Sequence, residues 1–353
     1  MSKPRISIIV PTYHTAKYLS KCLDSILNQT FQDFEVIIVS DGPKEDFVII
    51  EQYAKKDNRI TVLKDIKKGL GGARNEALKI AKGEFIWFID SDDWIEPNSL
   101  SKICKVLFNN NIDLLVFSAK IKSEKFGLKQ KGLKTYLKNK FKGFVNLDEN
   151  VIFNTNVYVW NKIFKKSLID EYQVRFIENS QYEDFPFIYF YCAIANNAYF
   201  LNDKLYNYFQ RTESNMAKTF KNNYKFIRQH FDCLKFLHTK LSQYSITSTY
   251  FTKIFAIILE AGLKYCDKEQ KEEFLNEAYL LYMELNMSNN SNSILKLLED
   301  RKFEKIITKT KMIYKSSLCK IIPLTVKITN KNKLKIYLFK KVLILSINLS
   351  EVI

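Results

Sequence analysis

Three carboxylates within four positions follow a short apolar run in this 353-residue sequence. The run extends from Phe85 to Ile89, and Asp90, Asp92 and Asp93 come directly after it. Because the run shows no alternation of period two, it is typical of a strand buried on both faces. Side chains after such a strand lie at the carboxyl edge of the sheet, where open α/β folds bind ligands. The spacing therefore predicts a site for Mg²⁺ or Mn²⁺ that holds a substrate phosphate, with an ordinary acidic turn as the alternative.

Alternating strand and helix patterns precede this turn and would position it. Apolar runs at 5–13, 34–39 and 60–63 predict three further strands, and helical spacing is found at 15–30, 45–55 and 73–81. This alternation predicts a mostly parallel sheet flanked by helices, a nucleotide-binding α/β architecture. The strand ends would then place Thr12, Tyr13 and Asp41 along the same edge as Asp90-Ser91-Asp92.

A glycine-rich loop at 69–72 leads into the third of these helices. It matches neither a Walker A loop nor a GxGxxG fingerprint. It brings Arg74 and Asn75 into the first turn of a helix, near backbone N–H groups suited to an anion. The alternative is a solvated surface arginine.

A second carboxylate pair, Glu183-Asp184, comes just before an aromatic run. The apolar run places the start of this segment close to a buried element, where an Asp loses solvent and its pKa rises. Such a carboxylate can serve as a general base. Asp184 could also cap the helix that follows, with Pro186 in its first turn, and the two roles are compatible.

The net charge of +17 is concentrated in two segments. Residues 120–142 hold nine Lys and one Glu, and residues 301–341 hold thirteen Lys or Arg and one Glu. Basic segments bind nucleic acid or anionic membranes, and no nucleic-acid-binding motif is found, so a membrane surface is favoured over nucleic acid. For 120–142 the other interpretations are a solvated face and a surface that attracts an anionic, lipid-linked acceptor.

The six cysteines contain no CxxC pair, and no signal peptide or membrane-spanning apolar run is found. These features predict reduced thiols and a cytoplasmic protein, either free or peripheral on the inner face of the cell membrane.

Residues 6–94 resemble the nucleotide-sugar-binding half of glycosyltransferase family 2, the inverting enzymes of GT-A fold. The resemblance rests on four motifs in order, which are Ile-Val-Pro-Thr-Tyr (9–13), Val-Ser-Asp-Gly (39–42), Gly-Gly-Ala-Arg-Asn (71–75) and Asp-Ser-Asp-Asp (90–93). It implies transfer of a hexose from a nucleotide sugar, most simply a UDP-sugar, to a hydroxyl of a glycan or lipid-linked acceptor. The bacterial members it resembles make capsule, lipopolysaccharide, teichoic acid or exopolysaccharide.

The resemblance also implies roles for individual residues of the donor site. Asp92 would be the direct metal ligand, and Asp90, with Ser91 beside it, would face the ribose and sugar as its partner. Arg74 would lie near the diphosphate and the sugar. The pocket for the base and ribose would be lined by Pro11, Thr12, Tyr13 and Asp41.

Three downstream segments extend the resemblance. The Trp160-Asn161-Lys162 segment is typical of the acceptor side, where Trp160 is either a core aromatic or a platform for a sugar ring. Asn161 and Lys162 would make polar contacts to the sugar or a phosphate. Glu183 would lie on the same side, and Asp184 matches the catalytic base of the family. Residues 205–215 resemble the segment that closes the catalytic domain, with Arg211 and Ser214 on a loop near the diphosphate.

These matches predict a catalytic domain over 1–215, made of a nucleotide-sugar half (1–118) and an acceptor half (119–215). Residues 216–353 would form a helical, basic C-terminal region. Its final segment, 294–349, fits an amphipathic helix that lies on a membrane surface, packs on the catalytic domain or contacts a second subunit in an oligomer.

Two other functions compete with sugar transfer. A metal-dependent phosphohydrolase could use the paired aspartates, but that chemistry normally has Thr or Val where this chain has Trp94. A non-catalytic nucleotide-sugar or membrane-binding scaffold would share the fold and would need no base, whereas Asp184 is present.

Overall fold

The computed structural model describes residues 3–64, 66–123, 139–211, 224–246, 248–287, 292–307, 324–329, 333–338 and 341–348. The chain divides into two compact units, Met1–Ile258 and Leu259–Ile353. They are described separately below.

The first unit is built on a sheet of nine strands. Their bounds are β1 Ile6–Thr12, β2 Phe34–Ser40, β3 Ile60–Lys64, β4 Phe85–Phe88, β5 Trp94–Ile95, β6 Leu114–Ser123, β7 Gly143–Asn146, β8 Lys162–Lys165 and β9 Asn197–Gln210. The strand order is β3-β2-β1-β4-β8-β6-β9-β5, and β7 pairs with β9. β1 to β4 run parallel, whereas β8 runs antiparallel to both β4 and β6. The sheet is therefore parallel in its N-terminal half and mixed beyond β4.

Helices connect and cover these strands. Their bounds are α1 Ala16–Leu27, α2 Lys44–Lys56, α3 Gly69–Ile80, α4 Ser99–Leu107, α5 Glu149–Phe153, α6 Lys166–Glu171, α7 Asp184–Ile194, α8 Tyr224–Gln243 and α9 Ser248–Tyr265. α9 includes residues of both units.

The parallel strands form the centre of the core, as the uninterrupted apolar runs predicted. Ile8 on β1 is paired with Val36 on β2 and Trp87 on β4, and all three side chains are fully buried. Burying a side chain of this size contributes roughly 1.5–3 kcal/mol. The core therefore fixes the strand register, and with it the positions of the polar residues that follow each strand.

Helix α3 begins earlier than the sequence pattern predicted. It starts at Gly69 rather than near Ala73, because the glycines themselves form its first turn. A Cβ on Gly71 would lie 2.2 Å from the carbonyl oxygen of Ile177. Glycine at this position lets the helix approach the backbone of Ile177. The helical spacing of residues 73–81 did not show this contact.

The second unit contains helices and a separate sheet. Its further elements are α10 Gln270–Glu284, α11 Ser293–Glu299, a helical turn at 303–307 and the strands β10 Leu324–Thr329, β11 Lys333–Leu338 and β12 Lys341–Asn348. β10 to β12 form an antiparallel three-stranded sheet. The helical prediction holds for most of residues 224–299 and for 303–307. It is wrong for the strands at 324–329, 333–338 and 341–348, where an amphipathic surface helix was predicted.

The reason for this correction is visible in the residue pattern. Val326 and Ile328 alternate with Thr325, Lys327 and Thr329, a period of two that favours a strand. β-Branched side chains lose rotamer freedom in a helix and fit well in a sheet. The mixture of lysines and apolar residues obscured this alternation.

Within the described ranges, no helix is both long and apolar enough to cross a bilayer. Most of the basic segment at 120–142 lies outside the described residues, and its first four residues complete strand β6.

Candidate active site

Three parallel strands end side by side at the edge that carries the predicted donor residues. Thr12 at the end of β1 is paired with Ser40 at the end of β2, and Asp90 lies two residues beyond β4. Asp41 follows β2, and its carboxylate accepts hydrogen bonds from the backbone N–H groups of Ile66 (2.5 Å) and Lys67 (3.0 Å). Asp41 therefore fixes the loop that leads into α3.

The Asp90–Asp93 segment forms a tight turn at this edge. The backbone N–H of Asp93 donates to the carbonyl oxygen of Asp90 (3.0 Å), and the N–H of Asp90 donates to the Tyr206 hydroxyl (3.1 Å). Asp93 is buried, and its Oδ1 accepts the N–H of Phe209 at 2.6 Å. Asp93 thus ties the turn to strand β9, which leaves Asp90 and Asp92 as the partly exposed carboxylates.

Asp92 lies beside Arg211, whose Nε is 2.7 Å from Asp92 Oδ2. Burial, and then the charge of Asp90, raise the pKa of Asp92 to about 6. Arg211 opposes this shift but does not cancel it. A carboxylate in this environment gains from a further cation.

Arg74 is the most densely paired residue of the site. It is 1% exposed, and its guanidinium lies 3.0 Å from Asp90, 2.9 Å from Glu183 and 2.7 Å from Asp184. Burial alone would lower the pKa of Arg74, but Asp184, Asp90 and Glu183 raise it, so the side chain remains charged. One buried cation thus joins the donor edge at Asp90 to the Glu183-Asp184 pair.

The Glu183-Asp184 pair lies at the start of helix α7, with Asp184 as its first residue. Asp184 Oδ1 is held by Arg74, Oδ2 lies 3.4 Å from the N–H of Val159, and 21% of the side chain is exposed. Burial raises the pKa of Asp184, and the charge of Arg74 limits the rise. Burial, and then Asp184, raise the pKa of Glu183 to about 7. Asp184 is thus a desolvated, still accessible carboxylate, as the apolar run after it predicted.

A divalent cation fits the donor set at Asp90 and Asp92 only with further ligands. The described residues contain no cluster of three or more metal-binding side chains. Two carboxylates from the protein are nevertheless enough to bind Mg²⁺, because its remaining ligands are usually water and substrate phosphates. The raised pKa of Asp92 is consistent with a missing positive charge at this point. The residues present therefore fit a metal that binds together with a diphosphate.

Residues 7–172 match the family model described as glycosyl transferase family 2. Residues 7–172 are thus similar to glycosyltransferase family 2. Over 216 residues it is 32% identical to protein EpsH of Bacillus subtilis (strain 168), covering 59% of this chain and 61% of EpsH. Over 231 residues it is 28% identical to the glycosyltransferase GlyG of Streptococcus pneumoniae serotype 4, covering 61% of this chain and 74% of GlyG. The matched region thus spans about three fifths of the length of EpsH.

The solved structures give the same fold. The structure of residues 1–349 of TarS from S. aureus in complex with UDP-GlcNAc matches with a TM-score of 0.69 at 22% identity. The match covers 96% of this chain and 98% of that one. The expected GT-A architecture, a mixed α/β sheet flanked by helices, is confirmed by this likeness.

The structure brings most of the predicted residues to one edge of the sheet, but it does not place them all at a surface. Pro11 and Thr12 lie buried at the end of β1, and Ser91 is buried in the carboxylate turn. Tyr13 is 64% exposed just beyond β1. Ser214 lies outside the described residues.

The segment predicted on the acceptor side is internal. Trp160 is 3% exposed and stacks on Tyr206 and Tyr208 with ring centroids at 4.7 and 5.3 Å. Of the two alternatives for Trp160, the structure shows the core aromatic, because a covered ring offers no platform to a sugar. Asn161 is also buried, and its amide donates to the Phe117 carbonyl at 3.1 Å.

Lys162 is buried in the same segment and does not reach a surface. Its ammonium donates to Asn156 Oδ1 (2.9 Å), the Tyr158 carbonyl (2.6 Å) and Asn161 Oδ1 (2.9 Å). Burial lowers its pKa to about 7, and the charge of Asp184 opposes this change. Lys162 therefore holds the loop at 156–161, which lies beside Asp184, through hydrogen bonds inside the protein. The predicted contact of Lys162 to a sugar or phosphate is not supported.

Two residues position the site through contacts that the sequence did not show. Asp46 on α2 is fully buried, and its carboxylate accepts the N–H of Thr15 at 3.0 Å, which fixes the turn after β1. Asn75 exchanges two 2.9 Å hydrogen bonds with the backbone of Phe176. The only available signal for Asn75 was its place after Arg74 in a motif, because its partner lies 101 positions along the chain.

Proposed function

We propose that the chain transfers a sugar from a nucleoside diphosphate sugar to an acceptor hydroxyl, with inversion at the anomeric carbon and with a divalent cation. The observation that carries this proposal is the ion-pair cluster of Arg74. It holds a desolvated carboxylate, Asp184, in the same buried cluster as Asp90 at the donor edge. Asp184 as a general base and the oxygens of Asp90 and Asp92 as metal ligands would thus act at one edge of the sheet.

The donor would bind along the ends of β1, β2 and β4. Asp92 and Asp90 would hold Mg²⁺ or Mn²⁺, which when bound offsets the charge of the departing diphosphate. Arg211, whose Nε lies 2.7 Å from Asp92 Oδ2, would contact that diphosphate. We assign Arg74 a role different from the predicted donor contact. Its buried guanidinium is already paired with three carboxylates, so it would orient them rather than bind the donor.

Asp184 would accept the proton of the acceptor hydroxyl. The acceptor oxygen attacks the anomeric carbon from the face opposite the diphosphate, the bond to the diphosphate oxygen breaks, and the proton ends on Asp184. Burial raises the pKa of Asp184, which makes it a stronger base than an exposed Asp, while the charge of Arg74 limits this rise. General base catalysis of this kind contributes roughly 10²- to 10⁴-fold.

A UDP-sugar is the proposed donor, since TarS, which shares the fold, was solved with UDP-GlcNAc. The acceptor is proposed to be a glycan or a lipid-linked intermediate of bacterial cell-surface polysaccharide synthesis, on the cytoplasmic face of the membrane. The catalytic domain is proposed to cover residues 1–215, with 216–353 as a separate C-terminal part.

The experiment that tests this proposal measures donor binding and turnover together. Thermal unfolding is recorded with a panel of nucleotide sugars in Mn²⁺ or in chelator, and release of nucleoside diphosphate is measured with the same panel. A ligand at about 100 times its Kd adds about 2.7 kcal/mol to the free energy of unfolding, which gives a clear rise in melting temperature.

We expect one class of nucleotide sugar to stabilise the protein in Mn²⁺ and not in chelator. Asp92→Ala should abolish that stabilisation, whereas Asp33→Ala, which removes an exposed carboxylate, should not. Stabilisation and turnover that persist in chelator would contradict the metal. Stabilisation without any release or transfer would support a binding scaffold instead.

A further inference from the structure

A face of mixed aromatic and cationic side chains lies next to the carboxylate turn. It combines residues of α1, β5, β6 and β9, and we call it the Lys21 face. Its members are Lys17, Tyr18, Lys21, Trp94, Lys122 and Phe209. None of them is used by the proposed chemistry of the donor site.

The aromatic rings of the Lys21 face form one continuous group. The Phe209 ring lies 5.4 Å from Tyr18 and 5.8 Å from Trp94, measured between centroids. The backbone N–H of Phe209 donates to Asp93 Oδ1, and Trp94 is the next residue after Asp93. The rings, which are all half-buried, are therefore attached directly to the turn that carries Asp92.

Amines surround these rings. The Lys21 ammonium lies 3.1 Å from the centroid of Trp94, and that of Lys17 lies 5.2 Å from the centroid of Tyr18. Lys122 on β6 is the register partner of Phe209 on β9 and is exposed. Burial, and then the charge of Lys122, lower the pKa of Lys21, so the two amines are close enough to repel each other.

Crowded amines beside half-exposed rings match a specific ligand chemistry. An anion between Lys21 and Lys122 would offset their repulsion, and phosphate is the anion that lysine commonly binds as a point charge. Amphipathic rings such as Trp94 and Tyr18 offer apolar area to the C–H surface of a sugar or polyol. The diphosphate of the donor would bind with Asp92 and its cation. An anion that binds at the Lys21 face would therefore be part of the other substrate, the acceptor.

We propose that the Lys21 face binds the acceptor, and that the acceptor is a glycan or polyol chain that carries phosphodiester groups. This inference rests on the proposed sugar transfer, because it assigns the acceptor of that same site. A membrane surface is less well matched, since the rings are half-buried beside the turn rather than projecting from the protein.

The test measures binding of the full-length protein to three probes at one ionic strength. The probes are a synthetic glycerol phosphate oligomer, an uncharged maltooligosaccharide of equal length and phosphatidylglycerol vesicles. The variant Lys21→Gln/Lys122→Gln removes two charges from the face. Its matched control, Lys55→Gln/Lys56→Gln, removes two exposed charges from the end of α2.

We expect the wild-type protein to bind the phosphate oligomer and not the uncharged one. Because the Lys21/Lys122 variant loses two partly exposed charge contacts, it should bind the oligomer about tenfold more weakly. The control should change by less than about twofold, since its charges lie elsewhere. Equal melting temperatures would show that both variants fold.

Several outcomes would overturn the assignment. If the wild-type protein does not bind the oligomer, or if the control variant loses as much binding, the Lys21 face is not the acceptor site. Vesicle binding that depends on Lys21 and Lys122 without oligomer binding would make it a membrane contact. Donor-dependent stabilisation in Mn²⁺ is measured in parallel. A loss of that stabilisation in the Lys21/Lys122 variant would assign the face to the donor, and its absence in the wild type would instead count against the proposed function itself.

Discussion

A single guanidinium, that of Arg74, serves three carboxylates in a buried part of the site. Its Nη1 is shared by Glu183 at 2.9 Å and Asp184 at 2.7 Å, while Nη2 contacts Asp90 at 3.0 Å. Two neighbouring carboxylates therefore compete for one donor, and the more buried of them, Glu183, has its pKa raised to about 7. Ionisation of Glu183, the residue next to the proposed base, therefore lowers the free energy of unfolding as pH rises.

The first prediction concerns Glu183→Gln and the pH dependence of folding. The pKa of Glu183 rises from 4.5 to about 7 on folding, so the folded state holds this proton more tightly than the unfolded chain does. The free energy of unfolding of the wild type should therefore fall as pH rises from about 4.5 to about 7, by about 3 kcal/mol from this group. Glu183→Gln should lack this part of the fall.

Urea unfolding of both proteins at about pH 5 and about pH 7.5 measures this difference. Glu171→Gln, which changes an exposed carboxylate at the end of α6, serves as the control and should follow the wild type. An identical pH slope for the wild type and Glu183→Gln would contradict the pKa proposed for Glu183.

At the scale of residues, the sequence identified most members of the site but not their partners. Arg74, Asp90 and Asp184 were all named from motifs, and the structure brings them into one cluster. Their ion pairs join positions up to 110 residues apart, and no local pattern shows which carboxylates converge on one arginine. For the same reason, Lys162 was read as a ligand contact although it is buried and fully hydrogen-bonded.

At the scale of elements, the site depends on how closely α3 approaches the loop before α7. Asn75 binds the backbone of Phe176, and the N–H of Asn179 donates to the carbonyl of Lys68 at 3.0 Å. Gly71 lies between these contacts and has no room for a Cβ. This close packing keeps the Arg74 guanidinium within ion-pair distance of Asp184.

The second prediction is that Gly71→Ala destabilises the domain and reduces turnover. The added Cβ would lie 2.2 Å from the Ile177 carbonyl, a backbone atom, so the helix and the loop must separate. Overpacking of this kind costs typically about 1–3 kcal/mol. The displacement should also loosen the Arg74–Asp184 pair and lower turnover at saturating donor.

Gly143→Ala is the matched control for Gly71→Ala. Gly143 has a φ of +75° and nothing within 4 Å of an added Cβ, so its substitution meets backbone strain without a clash. It should cost about 1 kcal/mol of stability and leave turnover per folded molecule unchanged. Equal effects of both variants on turnover would contradict the role of the α3 packing.

The elements themselves were predictable wherever their pattern was strong. β1, β2, β3 and β4 and the helices between them agree with the sequence pattern to within a few residues. The later strands pair across long intervals, such as β6 with β9, and their mixed directions follow from tertiary packing rather than from local sequence. The closing three-stranded sheet was missed because lysines interrupt its alternating apolar residues.

At the scale of the whole molecule, the first unit contains more than the matched family domain. Helix α8 contacts the loop before α7, with Tyr182 stacked on His230 at 3.8 Å and Ser180 Oγ 3.2 Å from Cys233 Sγ. These contacts support the segment that carries Glu183 and Asp184. They come from residues beyond 215, where the family motifs end, so the catalytic boundary at 215 stays a prediction.

The central claim is that Asp184 is the base of a sugar transfer whose donor is held elsewhere at the same edge. The most direct test compares Asp184→Asn with the wild type, using Asp33→Asn as a control for loss of one carboxylate. Asn can still accept the hydrogen bond from Arg74, so the cluster should fold, but it cannot take the proton of the acceptor.

Donor binding is read from thermal stabilisation by a nucleotide sugar with Mn²⁺, and turnover is read from nucleoside diphosphate release with acceptor. For Asp184→Asn we expect unchanged stabilisation and turnover reduced by roughly 10²- to 10⁴-fold. Turnover within about twofold of the wild type, at equal stabilisation, would contradict the assignment of Asp184 and with it the proposed mechanism.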